Sequence, residues 1–361
     1  MLYSQQKKSK LARDDFNKAW DLSLAYYNKA IQLNTQDVLA YTSRALVYGL
    51  QKKWDLALAD FNKAIDIKPD DAKTYYARGI FYGQQEKQDL ALADYNKAIE
   101  LDPEYAEAYK NRGILYYKQQ KWDLALVDYT KLIALNPLDA EGYYNRGILY
   151  TNQQKWDLAL ADFNKIIDIN PLYAESYNNR GILYTNQQKL DLALADYNKA
   201  IELDPEYAEA YKNRGILYYK QQKWDLALAD YNKVIALNPL DADGYYNRGL
   251  LYHNQQKLDL AITDYNKAIS LNPLDTDFYY NRGNIYKDQK KWNLALADFN
   301  KILQVASAEY PNGYFGRGMV YALMGEKQKA IPDLQRAAQF FKSQGNTAGY
   351  EQTMSVLKSL Q

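Results

Sequence analysis

A single interval governs this chain. Arg44, Arg78, Arg112, Arg146, Arg180, Arg214, Arg248 and Arg282 stand 34 residues apart, and Arg317 follows after one extra residue. The pattern around each arginine moves with it. Residues 106–116 read Ala-Glu-Ala-Tyr-Lys-Asn-Arg-Gly-Ile-Leu-Tyr. After a short polar break, residues 122–129 read Trp-Asp-Leu-Ala-Leu-Val-Asp-Tyr, and residues 135–139 close the unit with Leu-Asn-Pro-Leu-Asp. A strict period in this range means stacked copies of one supersecondary unit. Residues 89–126 recur unchanged at 191–228, an offset of 102, so a block of three units was copied whole. Copying lengthens a surface; it does not build a single catalytic centre.

Within one unit the apolar residues fall twice at helical spacing. Tyr109, Gly113, Tyr116 and Tyr117 make the first stripe, and Leu124, Ala125, Val127, Leu132 and Leu135 make the second. Steps of three and four residues put each set on one helix face. Lys118-Gln119-Gln120-Lys121 leaves room only for a tight turn. Pro137 stops the second helix, because proline disfavours helix in the residue before it and has no amide to donate. Each unit is therefore expected to be an antiparallel pair of short helices. Helices of this length are marginal alone and must bury their stripes on neighbours.

The unit resembles a tetratricopeptide repeat. The resemblance is carried by Tyr109, Gly113, Tyr116, Ala125, Tyr129, Leu132 and Pro137, with Ala98, Ala200 and Ala268 restoring the small residue where Leu132 departs. It covers nearly the whole chain. The fold it implies is all-α: a right-handed α-solenoid superhelix of antiparallel helix pairs, with first helices lining the concave side and a C-terminal capping helix. One solenoid is expected over 1–361: a degenerate first repeat at 4–37, eight regular repeats at 38–309, a last repeat at 311–344 and the cap at 345–361. Regular units begin near Val38, Ala72, Ala106, Ala140, Ala174, Ala208, Ala242 and Thr276. Pro332 is expected to bend or shorten the last second helix. Tyr350, Met354, Val356, Leu357 and Leu360 form the stripe of the cap.

Three periodic features call for partners. Mid-helix glycines (Gly79, Gly113, Gly147, Gly181, Gly215, Gly249, Gly283, Gly318) each cost about 1 kcal/mol against alanine. Alanines such as Ala91 and Ala125 on the second helix offer a small-against-small contact to offset that. The arginines stand where the family more often has leucine. Aspartates at Asp60, Asp94, Asp128, Asp162, Asp196, Asp230, Asp264, Asp298 and Asp333 follow them by 16 residues; the first unit lacks both, having Lys10 and Tyr26. An arginine–aspartate bridge inside each unit is expected, since the guanidinium fork matches a carboxylate. Trp20, Trp54, Trp122, Trp156, Trp224 and Trp292 open second helices, with Leu190, Leu258 and Gln88 at the same place, which points to packing between units.

Composition excludes several functions. Basic and acidic residues number 45 and 44, a net charge of +1, whereas a nucleic-acid surface needs a basic excess. Cysteine is absent, so thiol chemistry and disulfides are excluded. No apolar run approaches the ~18 residues of a membrane span, and the first residues lack the apolar core of a signal peptide. A cytoplasmic location and no direct membrane insertion are expected. The one histidine, His253, stands where threonine or tyrosine serves elsewhere. No phosphate loop or metal-ligand spacing occurs, so neither catalysis nor a cofactor is expected.

Family resemblance directs attention to the first helices. Tyr76, Tyr144, Tyr246 and Tyr280 form one row, and Asn111, Asn145, Asn179, Asn213, Asn247 and Asn281 run beside it. Tyrosine gives contact area at low entropy cost, and an asparagine amide can pair with a peptide backbone. The resemblance thus implies that these residues bind a peptide or partner protein in the concave groove. Asparagines bonded between neighbouring repeats are the competing reading. The carboxylate-gripping subset of the family is not matched, because Ile114 and Ile148 occupy positions that need asparagine. A non-catalytic scaffold is expected, monomeric or weakly homo-oligomeric. A self-associating spacer is the alternative, and a nucleic-acid-binding helical repeat a more distant one.

Overall fold

A computed structural model describes residues 2–306 and 310–360, with side chains from Lys18 onward. The described residues form helices and turns, and the chain divides into two compact units, Met1–Pro171 and Leu172–Gln361. The first unit contains α1 (Leu2–Leu33), α2 (Val38–Leu50), α3 (Trp54–Ile67), α4 (Ala72–Gln84), α5 (Gln88–Leu101), α6 (Ala106–Lys118), α7 (Trp122–Leu135), α8 (Ala140–Asn152) and α9 (Trp156–Ile169). The second contains α10 (Ala174–Asn186), α11 (Leu190–Leu203), α12 (Ala208–Lys220), α13 (Trp224–Leu237), α14 (Ala242–Asn254), α15 (Leu258–Leu271), α16 (Thr276–Asp288), α17 (Trp292–Val305), α18 (Pro311–Leu323), α19 (Lys327–Ser343) and α20 (Thr347–Leu360).

From α2 onward the helices pair as hairpins. The turn inside each hairpin is built by one residue in the left-handed region. In the pair α6–α7 this is Gln120 at φ 58°, and its amide and that of Lys121 bond back to Tyr117 and Tyr116 carbonyls at 2.9 Å. Glutamine, glutamate or lysine fills this place in eight hairpins, and Gly325 fills it in the last. Between repeats, proline ends the second helix and aspartate starts the next first helix. The Asp139 carboxylate accepts from the Glu141 amide at 2.9 Å, and Asp71 caps α4 through Thr74. Where tyrosine replaces that aspartate, at Tyr105 and Tyr207, no side-chain cap forms.

Each repeat contributes one apolar layer that the next repeat completes. Ala125 and Tyr129 of α7 pack with Leu149 of α8, and Ala227 and Tyr231 of α13 pack with Leu251 of α14. Trp54 lies 5.8 Å from Phe81 of the following repeat, the expected packing role. Within each unit successive first helices touch, α2 with α4 and α6 with α8, then α10 with α12 and α12 with α14; no pair of second helices does so comparably among the described residues. Each unit therefore curves toward its first helices.

Several expectations need correction. The glycines do not meet alanine. A Cβ on Gly113 or Gly181 would stand 2.7 Å from the ring of Tyr129 or Tyr197, one turn beyond Ala125 or Ala193. Glycine makes room for an aromatic ring, and the alanine is buried separately. Leu124 and Val127 are exposed; the buried stripe of α7 is Ala125, Asp128, Tyr129, Leu132 and Ile133, rotated so that Asp128 enters the core. The degenerate first repeat is not a pair: α1 runs unbroken through the place where a turn would fall, and Ala19 and Lys18 there are good helix formers. Side chains of Lys10 and its neighbours lie outside the described residues, as do residues 307–309 before the last repeat. Pro332 does not shorten α19, whose 17 residues exceed the 14 of α17; proline at the sixth position removes a single helical bond. In the cap, Gly349 lies inside α20 against the Phe341 ring, and Thr353 and Leu357 are buried while Met354 is exposed.

Candidate first-helix binding face

The arginine of each repeat is the most extensively bonded side chain on this scaffold among the described residues. Nε and Nη2 donate to the two oxygens of the aspartate 16 residues later, at 2.6–2.9 Å in all nine pairs. The expected bridge is therefore present throughout. Its third donor was not anticipated. Arg112 Nη1 bonds Asn96 of the preceding repeat at 2.7 Å, and Arg78, Arg214 and Arg248 bond Asn62, Asn198 and Asn232 likewise. The Arg112 guanidinium also lies over Tyr109 and Tyr116, at 5.4 and 5.8 Å. One side chain thus joins the two helices of its repeat and ties them to the repeat before. The asparagine row recurs at the same interval as the arginine and was legible on that ground. Burial pushes the Asp128 carboxyl up, against the two guanidinium bonds. The Arg112 guanidinium is pulled down by burial but raised on balance by Asp128. The carboxylate end is the drier one, so its bonds offset only part of its desolvation.

The ten residues expected to bind a peptide are all half-buried on first helices. Several spend their polar atoms inside the chain. Asn111 donates to the Tyr76 hydroxyl at 2.8 Å, Asn281 to the Tyr246 hydroxyl at 2.9 Å, and Asn213 to Asn178 at 2.9 Å. Bonding between repeats therefore describes these three better than an amide left free for a ligand. The Asn145 amide nitrogen is buried without a hydrogen-bond partner among the described residues. The residue 35 positions before it, in the place where Tyr76 accepts from Asn111, is Lys110, which has no acceptor and pairs with Glu141 at 2.9 Å. The Asn179 amide nitrogen is likewise buried and unpartnered. Asn247 lies in the same row, beside Tyr246.

The tyrosine row rests on aromatic residues beneath it. Tyr76 is 4.9 Å from Tyr105, Tyr144 is 6.3 Å from Phe163, Tyr246 is 4.9 Å from Phe278, and Tyr280 is 6.1 Å from Phe299. Burial raises the phenols of Tyr76, Tyr246 and Tyr280 above their ordinary range, so all three are neutral donors or acceptors at physiological pH. His253 is half-buried, and burial lowers its pKa, which keeps it neutral. Among the described residues no group of acidic, histidine or cysteine side chains could hold a metal, and no helix is long and apolar enough to cross a membrane. One exposed feature falls outside the first helices. Leu56, Leu90, Leu124 and Leu158 in the first unit, and Leu192, Leu226, Leu260 and Leu294 in the second, are about half exposed near the starts of second helices.

Family models described as tetratricopeptide repeat match residues 38–71, 106–138, 140–173, 174–207, 212–276 and 276–307, and one described as TPR repeat matches 82–120. Among solved structures, the APC/C hetero-tetramer Cut9-Hcn1 is similar at 15% identity and TM-score 0.52, over 96% of this chain and 94% of that one. PilF of Pseudomonas aeruginosa is similar at 20% identity and TM-score 0.51, over 62% of this chain and 99% of that one. YrrB, described as a TPR protein with an unusual peptide-binding site, shows 26% identity and TM-score 0.44, over 54% of this chain and 97% of that one. No curated protein matches the chain.

Proposed function

The chain belongs to the tetratricopeptide repeat family, and on that premise we propose that it is a non-catalytic scaffold whose first-helix face holds an extended segment of a partner protein. Proteins of this family generally mediate protein–protein interaction. The observation that carries the reading here is the curvature of each unit toward its first helices, which presents a continuous wall of half-buried tyrosine, asparagine and isoleucine. A polypeptide lying along such a wall finds ring faces and amide groups at regular steps. The near-neutral charge fits a protein ligand better than a nucleic acid, and the expected setting is the cytoplasm.

Site-specific photo-crosslinking tests this. A benzophenone amino acid at position 118, exposed at the end of α6, should capture a partner from native lysate. The same group at position 127, exposed on α7, should not. Capture from 127 alone would move the binding surface to the second helices. The exposed leucines there favour a second reading, self-association through the second-helix face. Light scattering at two concentrations separates it from a monomeric scaffold: a mass that rises with concentration supports self-association.

A further inference from the structure

The repeats serve as controls for one another, and one of them is missing parts. A trough of about 630 Å³ opens between α4, α5 and α6, with Gly83, Gln88, Tyr95, Asn111, Leu115 and Lys118 in its wall. Gly83 stands where the sister repeats carry Tyr117 and Tyr219, and Gln88 where they carry Trp122 and Trp224. In those repeats the tyrosine and tryptophan rings meet edge to face, at 5.1 and 5.5 Å, and fill the space. Here both rings are absent together.

The copied block makes the comparison sharper. Tyr95, Asn111, Leu115 and Lys118 are repeated as Tyr197, Asn213, Leu217 and Lys220, but Gly83 and Gln88 lie just outside the block and become Thr185 and Leu190. Thr185 reaches the Tyr197 hydroxyl at 3.0 Å. The Tyr95 hydroxyl has no hydrogen-bond partner among the described residues. It is the atom nearest to a Cβ built on Gly83, at 3.8 Å. Tyr95 is 5% exposed against 2% for Tyr197, and Leu115 is 8% exposed against 1% for Leu217. The same wall is plugged in one copy and open in the other.

The rim also lacks a partner for its donor. In the sister repeats Asn152 donates to the Tyr117 hydroxyl at 2.5 Å, and Asn254 donates to that of Tyr219. The residue in register with Asn152 and Asn254 is Lys118, which faces Gly83 and has no phenol to meet. Gln119 bonds Gln88 at 2.9 Å, closing one side of the trough.

We propose that this trough is a side-chain pocket that seats a tyrosine of a bound polypeptide. The ring enters over Gly83 and the phenol oxygen accepts from the Lys118 ammonium. The occupant replaces in trans the ring that Tyr117 and Tyr219 supply in cis, and the Tyr95 hydroxyl gains the polar neighbour that Thr185 gives Tyr197. This deepens the peptide-binding reading and rests on it for its biological ligand.

N-acetyl-L-tyrosinamide is the probe, measured on the full chain by saturation-transfer NMR and calorimetry. One saturable site with millimolar affinity is expected. Gly83→Tyr and Gln88→Trp, which restore the residues of the sister repeats, should each weaken it about tenfold or more, whereas Gly83→Ala should keep it within about threefold. Lys118→Met should erase the preference over N-acetyl-L-phenylalaninamide. Tyr117→Gly combined with Trp122→Gln, which empties the sister repeat of both rings, should open a second site and double the stoichiometry. No saturable binding, or binding undiminished in both filling variants, would overturn the pocket. If the probe behaves as expected while crosslinks leave the first-helix face, the pocket stands and the groove reading falls.

Discussion

Replacing the Arg112–Asp128 pair by leucines, singly and together, shows what the bridge contributes. The Asp128 side chain is 1% exposed and that of Arg112 is 17% exposed, so the two single variants are unequal. Arg112→Leu leaves a buried carboxylate with no counter-charge and no donor, a loss of about 3–5 kcal/mol. Asp128→Leu leaves a guanidinium that keeps its bond to Asn96, its two tyrosine rings and some water, and it costs about 1–3 kcal/mol. The double variant removes both charges and refills the space with apolar volume, so its cost falls to within about 2 kcal/mol of the parent. The single losses therefore fail to add by at least ~2 kcal/mol. Repeat arrays open locally, so hydrogen exchange of α6 and α7 in dilute denaturant is the suitable readout. Additivity within about 0.5 kcal/mol would refute the bridge as a coupled unit. Arg112→Leu should also raise exchange in α5, where the bond to Asn96 is lost, whereas Asp128→Leu should not.

Gly181→Ala should destabilise by about 1–3 kcal/mol despite the better helix propensity of alanine, because its Cβ would stand 2.7 Å from the Tyr197 ring. Gly83→Ala meets nothing closer than 3.8 Å and should stabilise by about 1 kcal/mol; thermal melts that rank the two variants the other way would contradict the packing described. Burial pushes the phenols of Tyr95, Tyr129, Tyr231 and Tyr265 well above their ordinary range. The unfolded chain then releases protons first, so stability is intact below about pH 10 and falls as pH rises above it. Circular dichroism and phenolate absorbance followed together should show ionisation of this group only as the helices melt. Asp139→Ala removes the cap bond to Glu141 and should cost about 1 kcal/mol, read as faster exchange in the first turn of α8.

Repeat length, helix order and the arginine–aspartate pairing were all legible in the sequence, because each recurs and the pairing is present or absent as a unit. Helix rotation was harder to read. Ala125 and Tyr129 lie one turn apart on the same face, and spacing alone could not say which of them faces Gly113; ring volume decides for Tyr129. Leu124 and Val127 share the helical spacing of the stripe, and the entry of Asp128 into the core turns them out. On the first helices the rows lie half-buried, and the bonding between repeats that the sequence offered as the competing reading is present at Asn111, Asn213 and Asn281. Asn111 and Tyr76 lie 35 residues apart in neighbouring repeats and meet only through stacking. Gln88 departs from the tryptophan pattern in the sequence, whereas nothing there singles out Gly83. Their meaning required the volume that Tyr117 and Trp122 occupy elsewhere.

Hydrogen exchange of the complex with a captured partner tests the binding face directly. New protection is expected in first helices, α4, α6, α12 and α14, with second helices α7, α9 and α13 unchanged. Protection confined to the second helices, along the exposed leucines, would contradict the first-helix binding face.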